Sequence, residues 1–293
     1  MDSTLAGRCR EWFAAARFEA RYLVALARLN RSLLPTSRTA VCIHLYYVDS
    51  WPLFARRLAQ LGDLPFDIFV TMPTGNALFA ATIRAEFPRA HVVLVPNHGR
   101  GTLPFVKVAQ LARKRHYEVV LKLHCKNPRH PDGGQSMLKA ILDRLLPESP
   151  RLLAEVISRL SRPEAGVLGP SEVYCPLSLH FSPNRERVGE LLAGLLGEDV
   201  AREVLDDPDR YGFFAGSAFW GRLDAIEPLL RFRAFDFEPE SGQRDGTLPH
   251  ALERMFSLLP QLRGRQVLEM VDGAIQVRAP EARSIPTWFG HRS

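Results

Sequence analysis

Cysteine is scarce in this chain. The 293 residues contain four (Cys9, Cys42, Cys125 and Cys175), widely spaced, with no Cys-x-x-Cys pair and no Cys/His ligand pattern. That spacing excludes a recognisable zinc site or disulfide framework. A chain this long buries enough core to need neither. Long apolar runs are also missing. Residues 5–33 hold Trp12, Phe13, Phe18, Tyr22, Leu26 and Leu29, but Arg8, Arg10, Arg17, Arg21, Arg28 and Arg31 interrupt them. A transmembrane helix needs roughly 20 mostly apolar residues, so this segment is not one. No apolar run with a cleavage site follows the first arginines, so no secretory signal is read and the expected compartment is the cytoplasm. There is no internal repeat or low-complexity tract, no Gly-x-Gly-x-x-Gly fingerprint and no P-loop.

What is present is an ordinary globular composition, 46% hydrophobic and 24% charged. Lys and Arg number 38 against 32 Asp and Glu, a net charge of +6. Such an excess favours phosphates, nucleic acid or an acidic membrane, although charges scattered over solvated faces account for it equally well. No recognition-helix motif or basic stripe supports nucleic acid, and none is expected as a partner. Residues 5–33 read as a basic, aromatic amphipathic helix. It packs either on the domain or a partner subunit, or on the inner face of the cytoplasmic membrane as a peripheral anchor.

From Thr39 the pattern alternates. Strands are predicted at 40–47, 66–71, 91–96 and 118–124, with helices at 51–61, 76–87 and 105–115 between them. This is the rhythm of a mostly parallel sheet covered on both faces. Helices follow at 135–146, 150–160, 185–205 and 248–259, with strands at 166–169 and 213–220. Asp272-Gly273 between apolar runs predicts a hairpin over 267–277. The expected organisation is a basic helix (1–37), one α/β domain (38–280) and a tail (281–293).

In an open α/β sheet the binding crevice lies beyond the carboxyl ends of the strands. The first strand ends in His44, Tyr46, Tyr47 and Asp49, and the third runs into Asn97-His98-Gly99-Arg100-Gly101. The fourth presents Lys122, His124 and Lys126 on alternate positions, hence towards one side. Cations there would meet an anion such as a nucleotide diphosphate, or pair with Asp49 or Asp245. The 97–101 loop reads either as a phosphate cradle at a helix start or as a plain turn. Gly216 permits close backbone approach, and Phe219 and Trp220 offer either a stacking face or core. Asp245 reads as a general base or as a helix cap, and His250 shares one helix face with Glu253 and Arg254.

His44-Leu45-Tyr46-Tyr47, Asn97 to Arg100 with Pro104-Phe105, Lys122-Leu123-His124 with Lys126, Ala215-Gly216 with Phe219-Trp220, and Asp245-Gly246-Thr247 with His250 and Glu253-Arg254 resemble, in this order, the rhamnan synthesis protein F family. Phe66-Asp67 with Val70-Thr71 adds to the resemblance, which runs from about residue 40 to 256. It implies a single GT-A-like domain with helices flanking a mostly parallel sheet, and a role in rhamnan or O-antigen-type polysaccharide synthesis. The implied substrates are a nucleotide sugar such as dTDP-rhamnose and a lipid-linked glycan acceptor. Asp245 would then be catalytic. Asn97, Arg100, Lys122, His124, Lys126 and Gly216 would face the donor, and His44, Tyr46, Tyr47, Asp49, Trp220, His250 and Glu253 the substrates. Metal-dependent transferases of this fold carry Asp-x-Asp on the strand that here holds Lys122 and His124, so no metal or other cofactor is assigned. Asp207-Pro208-Asp209 reads as a helix-ending turn. The chain departs from the family pattern at Gly101, where an acidic residue is usual, and at Asn127-Pro128, where a serine tends to follow. The departure leaves a second reading open, a non-catalytic glycan- or membrane-associated assembly protein that keeps the fold.

Overall fold

The computed structural model describes residues 5–62, 65–125, 134–243 and 245–278. Lys126, Asn127, Pro128, Arg244 and the 281–293 tail lie outside them. Four strands form the first half of the sheet: β1 (Thr39–His44), β2 (Asp67–Pro73), β3 (His91–Val95) and β4 (Val119–His124). They pair in parallel, β2 between β3 and β1, and β1 between β2 and β4. Every residue of β1 and β2 is buried, as expected of continuous apolar runs covered on both faces. The connecting helices are α2 (Trp51–Gln60), α3 (Phe79–Glu86) and α4 (Thr102–Lys114).

Beyond β4 the chain forms α5 (Gly134–Leu145), α6 (Pro150–Leu160) and β5 (Ala165–Pro170). The start of α6 follows its sequence chemistry: Ser149 caps Leu152 N–H and Pro150 opens the first turn. A short strand, β6 (Tyr174–Pro176), then pairs with β7 (Gly212–Phe214) in a separate two-stranded ribbon. Between them lie α7 (Arg185–Leu196) and α8 (Glu198–Asp206). The predicted single helix over 185–205 is thus two, because Gly197 sits at φ 99°, a conformation that breaks the hydrogen-bond ladder and that only glycine adopts cheaply. Asp207-Pro208-Asp209 forms the turn that follows α8.

The predicted strand over 213–220 also divides. After β7 the backbone turns through Gly216 (φ 83°) and Ser217 (φ 57°) before β8 (Phe219–Arg222) enters the main sheet. There β8 runs antiparallel between β4 and β5. The long α10 (Leu248–Leu262) follows the short α9 (Leu223–Ile226). The hairpin β9 (Gln266–Val271) and β10 (Ala274–Val277) completes the sheet, turning at Asp272-Gly273 as predicted. Among the described residues the order is β10-β9-β5-β8-β4-β1-β2-β3. This mixed α/β architecture agrees with the expected GT-A-like domain.

Two apolar layers cover the sheet. One joins it to α4, α7 and α10, and includes Phe105, Phe219 and Phe256. The other joins it to α2, α5 and α6, and includes Trp51, Phe54 and Trp220. The N-terminal helix α1 (Leu5–Ser32) lies on the first layer, with Tyr22, Leu29 and the following Leu33 buried. A buried ion pair fastens it: Lys107 Nζ on α4 lies 2.5 Å from Glu19 Oε1. The other Glu19 oxygen accepts the Ala234 N–H at 2.7 Å.

Candidate functional site

The carboxyl ends of β1 and β4 lie side by side, with His44 opposite His124. Because β8 is antiparallel, its entry turn at Ala215–Ser217 returns to this same end, and Lys122 pairs in register with Phe219. Described residues of three segments meet at the rim: 97–101, 178–184, and 240–243 with 245–247. Gly99 positions the first of them. It sits at φ 69°, and an added Cβ would come 2.5 Å from Leu103 Cβ and 2.9 Å from the Phe237 ring. No other residue fits there without moving backbone.

The hydrogen bonds join sequence segments 140 or more residues apart. Arg100 Nη1 lies 2.8 Å from His250 Nε2, Nε faces Glu240 Oε2 at 3.4 Å, and Nη2 donates to the Gln243 carbonyl. An arginine nitrogen always donates, so Nε2 of His250 accepts and the ring is neutral; its Nδ1 lies 2.8 Å from Thr247 Oγ1 and 3.3 Å from the Thr247 N–H. Burial, and then the Arg100 charge, hold the His250 pKa below its ordinary value, which favours this neutral form.

Asp245 lies 3.9 Å from His250 Nδ1. Its Oδ1 accepts the Asn184 amide at 2.5 Å and the Gly246 N–H at 3.1 Å. Its Oδ2 faces Arg254 Nη2 at 3.8 Å, beyond hydrogen-bond reach, and the side chain is 27% exposed. One oxygen is therefore anchored while the other keeps a lone pair for an incoming proton. Asp245 is not the cap of α10, since Thr247 holds that position.

Asn184 went unnoticed in the sequence because an asparagine before a helix ordinarily caps it. Here it makes no cap bond to α7. Its amide donates to His180 O and Asp245, and its oxygen accepts the Gly246 N–H at 3.2 Å. His180 itself is exposed at φ 51°, its carbonyl held by Arg254 as well as Asn184. Only the folded chain brings these groups to Asp245.

Other expectations need correction. Lys122 is 1% exposed, and its Nζ donates to Ser217 O at 2.8 Å and Oγ at 2.9 Å, over the Phe105 ring. It is a buried cation behind the rim, not a projecting arm. Trp220 is fully buried and donates Nε1–H to Leu145 O at 2.6 Å, so its ring offers no stacking face. Glu253 accepts the Gly216 N–H at 2.7 Å and thereby secures the turn over Lys122. The 97–101 loop is no open phosphate cradle: Thr102 and Leu103 N–H both point at Gly99 O, and Pro104 has no N–H to give.

Tyr46 is exposed, stacks edge-on against half-buried Tyr47, and both backbone amides point at Cys125 Sγ at 3.1 Å. Asp49 and Asn97 are exposed at the rim. His124 is half-buried, and Gly101 approaches it closely: an added Cβ would lie 3.3 Å from His124 Cβ and 3.5 Å from His44 Cδ2. A side chain at 101 would therefore be directed onto these two histidines. The described residues contain no cluster of three or more His, Cys, Asp or Glu able to hold a metal ion.

His44 is 5% exposed, with Nδ1 3.0 Å from Thr71 Oγ1. Burial, reinforced by the Lys122 charge, pushes its pKa down to about 3 from 6.5. Between those values the unfolded chain binds the proton and the native one does not, so stability falls as pH drops below 6.5. By pH 5 the loss due to His44 is about 2 kcal/mol. Urea denaturation of the wild type and His44→Asn between pH 7 and 5 checks this. The variant should lack that part of the pH dependence, and equal slopes would reject the assignment.

Comparison with known proteins agrees with this architecture. The model of the rhamnan synthesis protein F family matches residues 11–264. Proteins described as "Uncharacterized protein WxcX", from two strains of Xanthomonas campestris pv. campestris, are each 30% identical over 248 residues. That alignment covers 83% of this chain and 34% of each relative, so the chain spans about a third of the length of the curated relatives it matches. With most of its length matched by the family model, the chain belongs to the rhamnan synthesis protein F family.

Proposed function

We propose that this chain is a glycosyltransferase of cell-surface polysaccharide synthesis, moving a sugar from a nucleotide-diphospho-sugar to a glycan hydroxyl. The observation that carries the reading is the Asn184–Asp245–His250–Arg100 network, which links a partly exposed carboxylate through His250 to a cation at the carboxyl end of the sheet. In the reaction the acceptor oxygen forms a bond to the anomeric carbon as its proton passes to Asp245 Oδ2. The bond from that carbon to the diphosphate breaks, and the diphosphate leaves with the electron pair. Arg100, shifting from Glu240 onto the phosphate, balances the departing charge, and buried Lys122 adds positive potential behind it. The family's description makes dTDP-rhamnose the first donor to test and a lipid-linked glycan the first acceptor.

A second reading has its own support. Arg100 and Lys122 are already engaged by protein groups, and Gly101 brings no carboxylate. These features suit an assembly protein that keeps the fold without catalysis. Calorimetric titration with dTDP and dTDP-rhamnose separates the two. The transferase should bind saturably, about tenfold more weakly in Arg100→Gln, the loss expected of one charge-assisted contact. Absence of any saturable heat favours the assembly role.

A further inference from the structure

The two faces of α1 differ in what they meet. One face carries Phe18, Glu19, Tyr22 and Leu29 onto the domain. The other faces outward and is unexpectedly apolar: Trp12 and Phe13 are 59% and 61% exposed, Leu23 and Val24 58% and 52%. At 3.6 residues per turn these four share one arc with Ala20 and Ala27. Arg10, Arg17, Arg21 and Arg28 line the adjoining arc, all exposed. Glu11 is the exposed acid among the described side chains of the helix, and Glu19–Lys107, on the buried side, is its ion pair among the described residues. Phe235, 41% exposed and 5.7 Å from Trp12 between ring centres, extends the apolar arc from the body of the domain.

We propose that this face of α1 is a docking surface for an anionic lipid bilayer. Trp12, Phe13, Leu23 and Val24 enter the boundary between headgroups and acyl chains, and the arginine row meets lipid phosphates. An exposed aromatic row beside an uncompensated cationic row is the profile of a helix lying in a membrane interface. Charge argues against a second copy as the occupant, because a two-fold contact through this face would set the same arginines against each other on a chain of net charge +6. No helix among the described residues is long and apolar enough to cross a membrane, so the contact is interfacial. Phe18, on the opposite, inner face, stacks on His98 at 4.9 Å, so the helix that docks packs against the loop that carries Arg100.

The test is flotation of the full chain with phosphatidylcholine vesicles, with and without about 30% phosphatidylglycerol, alongside tryptophan fluorescence. Wild-type protein should partition at least about tenfold more strongly onto the anionic vesicles, weaken as salt is raised, and show a blue shift that Trp12→Phe diminishes. Trp12→Ala/Phe13→Ala and Arg10→Gln/Arg17→Gln/Arg21→Gln/Arg28→Gln should each lower partitioning about tenfold at an unchanged melting temperature. Equal partitioning of wild type and both variants overturns the proposal. So does wild-type protein that ignores both vesicles, including the case in which it elutes as a dimer that the variants dissociate. Turnover on a soluble acceptor does not depend on this surface, so failure here leaves the transferase reading to its own test.

Discussion

Replacing Asp245 by asparagine is expected to lower sugar transfer by about 10²–10⁴-fold, the range for loss of a general base. The substitution keeps the shape of the side chain and its anchored oxygen, which still accepts from Asn184 and Gly246. What it removes is the lone pair on the second oxygen, where the acceptor proton is received. The melting temperature should hardly move. Donor affinity should also persist, because Arg100 is not in contact with this carboxylate and keeps its bond to His250. Steady-state kinetics with a nucleotide sugar should therefore show kcat falling while the donor KM stays near the wild-type value. Undiminished kcat would remove Asp245 from the chemistry.

A comparably large effect is expected on stability when Lys107 becomes methionine. The ammonium is 3% exposed and its partner Glu19 10%, so the variant strands a buried carboxylate that retains only the Ala234 N–H. Breaking a buried pair from one side costs about 3–5 kcal/mol. Adding Glu19→Gln should recover most of that loss, since the amide oxygen can still accept from Ala234 and no charge is left buried. Urea denaturation of the two single variants and the double completes the cycle. If Lys107→Met costs less than about 1 kcal/mol, the pair is not what holds α1 to α4.

The sheet was readable because its strands are continuous apolar runs, as in Ala40 to Ile43 and Val119 to Leu121, and the chain alternates them with amphipathic helices. Asp272-Gly273 announced its hairpin through turn chemistry alone. Expectations failed where a local pattern had two outcomes that only tertiary contacts decide. Phe213 to Trp220 is apolar apart from Gly216-Ser217, yet it divides between two sheets at that point, where Glu253, from a distant helix, fixes the Gly216 turn. Trp220 and Phe219 could serve as a platform but suited a core better, and burial chose the core. The motif segments were legible, and those at His44, Arg100, Lys122, Gly216 and His250 do converge, whereas Phe66-Asp67 lies at the opposite end of the sheet. Their partners were not legible: Asn184, Ser217 and Glu240 sit in unremarkable surroundings and matter through hydrogen bonds to residues 61 or more positions away. Lys122 illustrates the remaining gap, since alternation along a strand gives the side to which a lysine points but not whether a loop has closed over it.

The helix α10 has a mechanical consequence for the rim. His250 reaches Arg100 and approaches Asp245, while Glu253, three positions on, holds the turn that covers Lys122. Three residues of helix advance about 4.5 Å along its axis. The offset between the two halves of the crevice is thus set by helical pitch and not by any flexible connection. Flanking loops can lengthen without altering it, whereas one residue inserted between positions 250 and 253 would rotate the halves by about 100° relative to each other and take them out of phase.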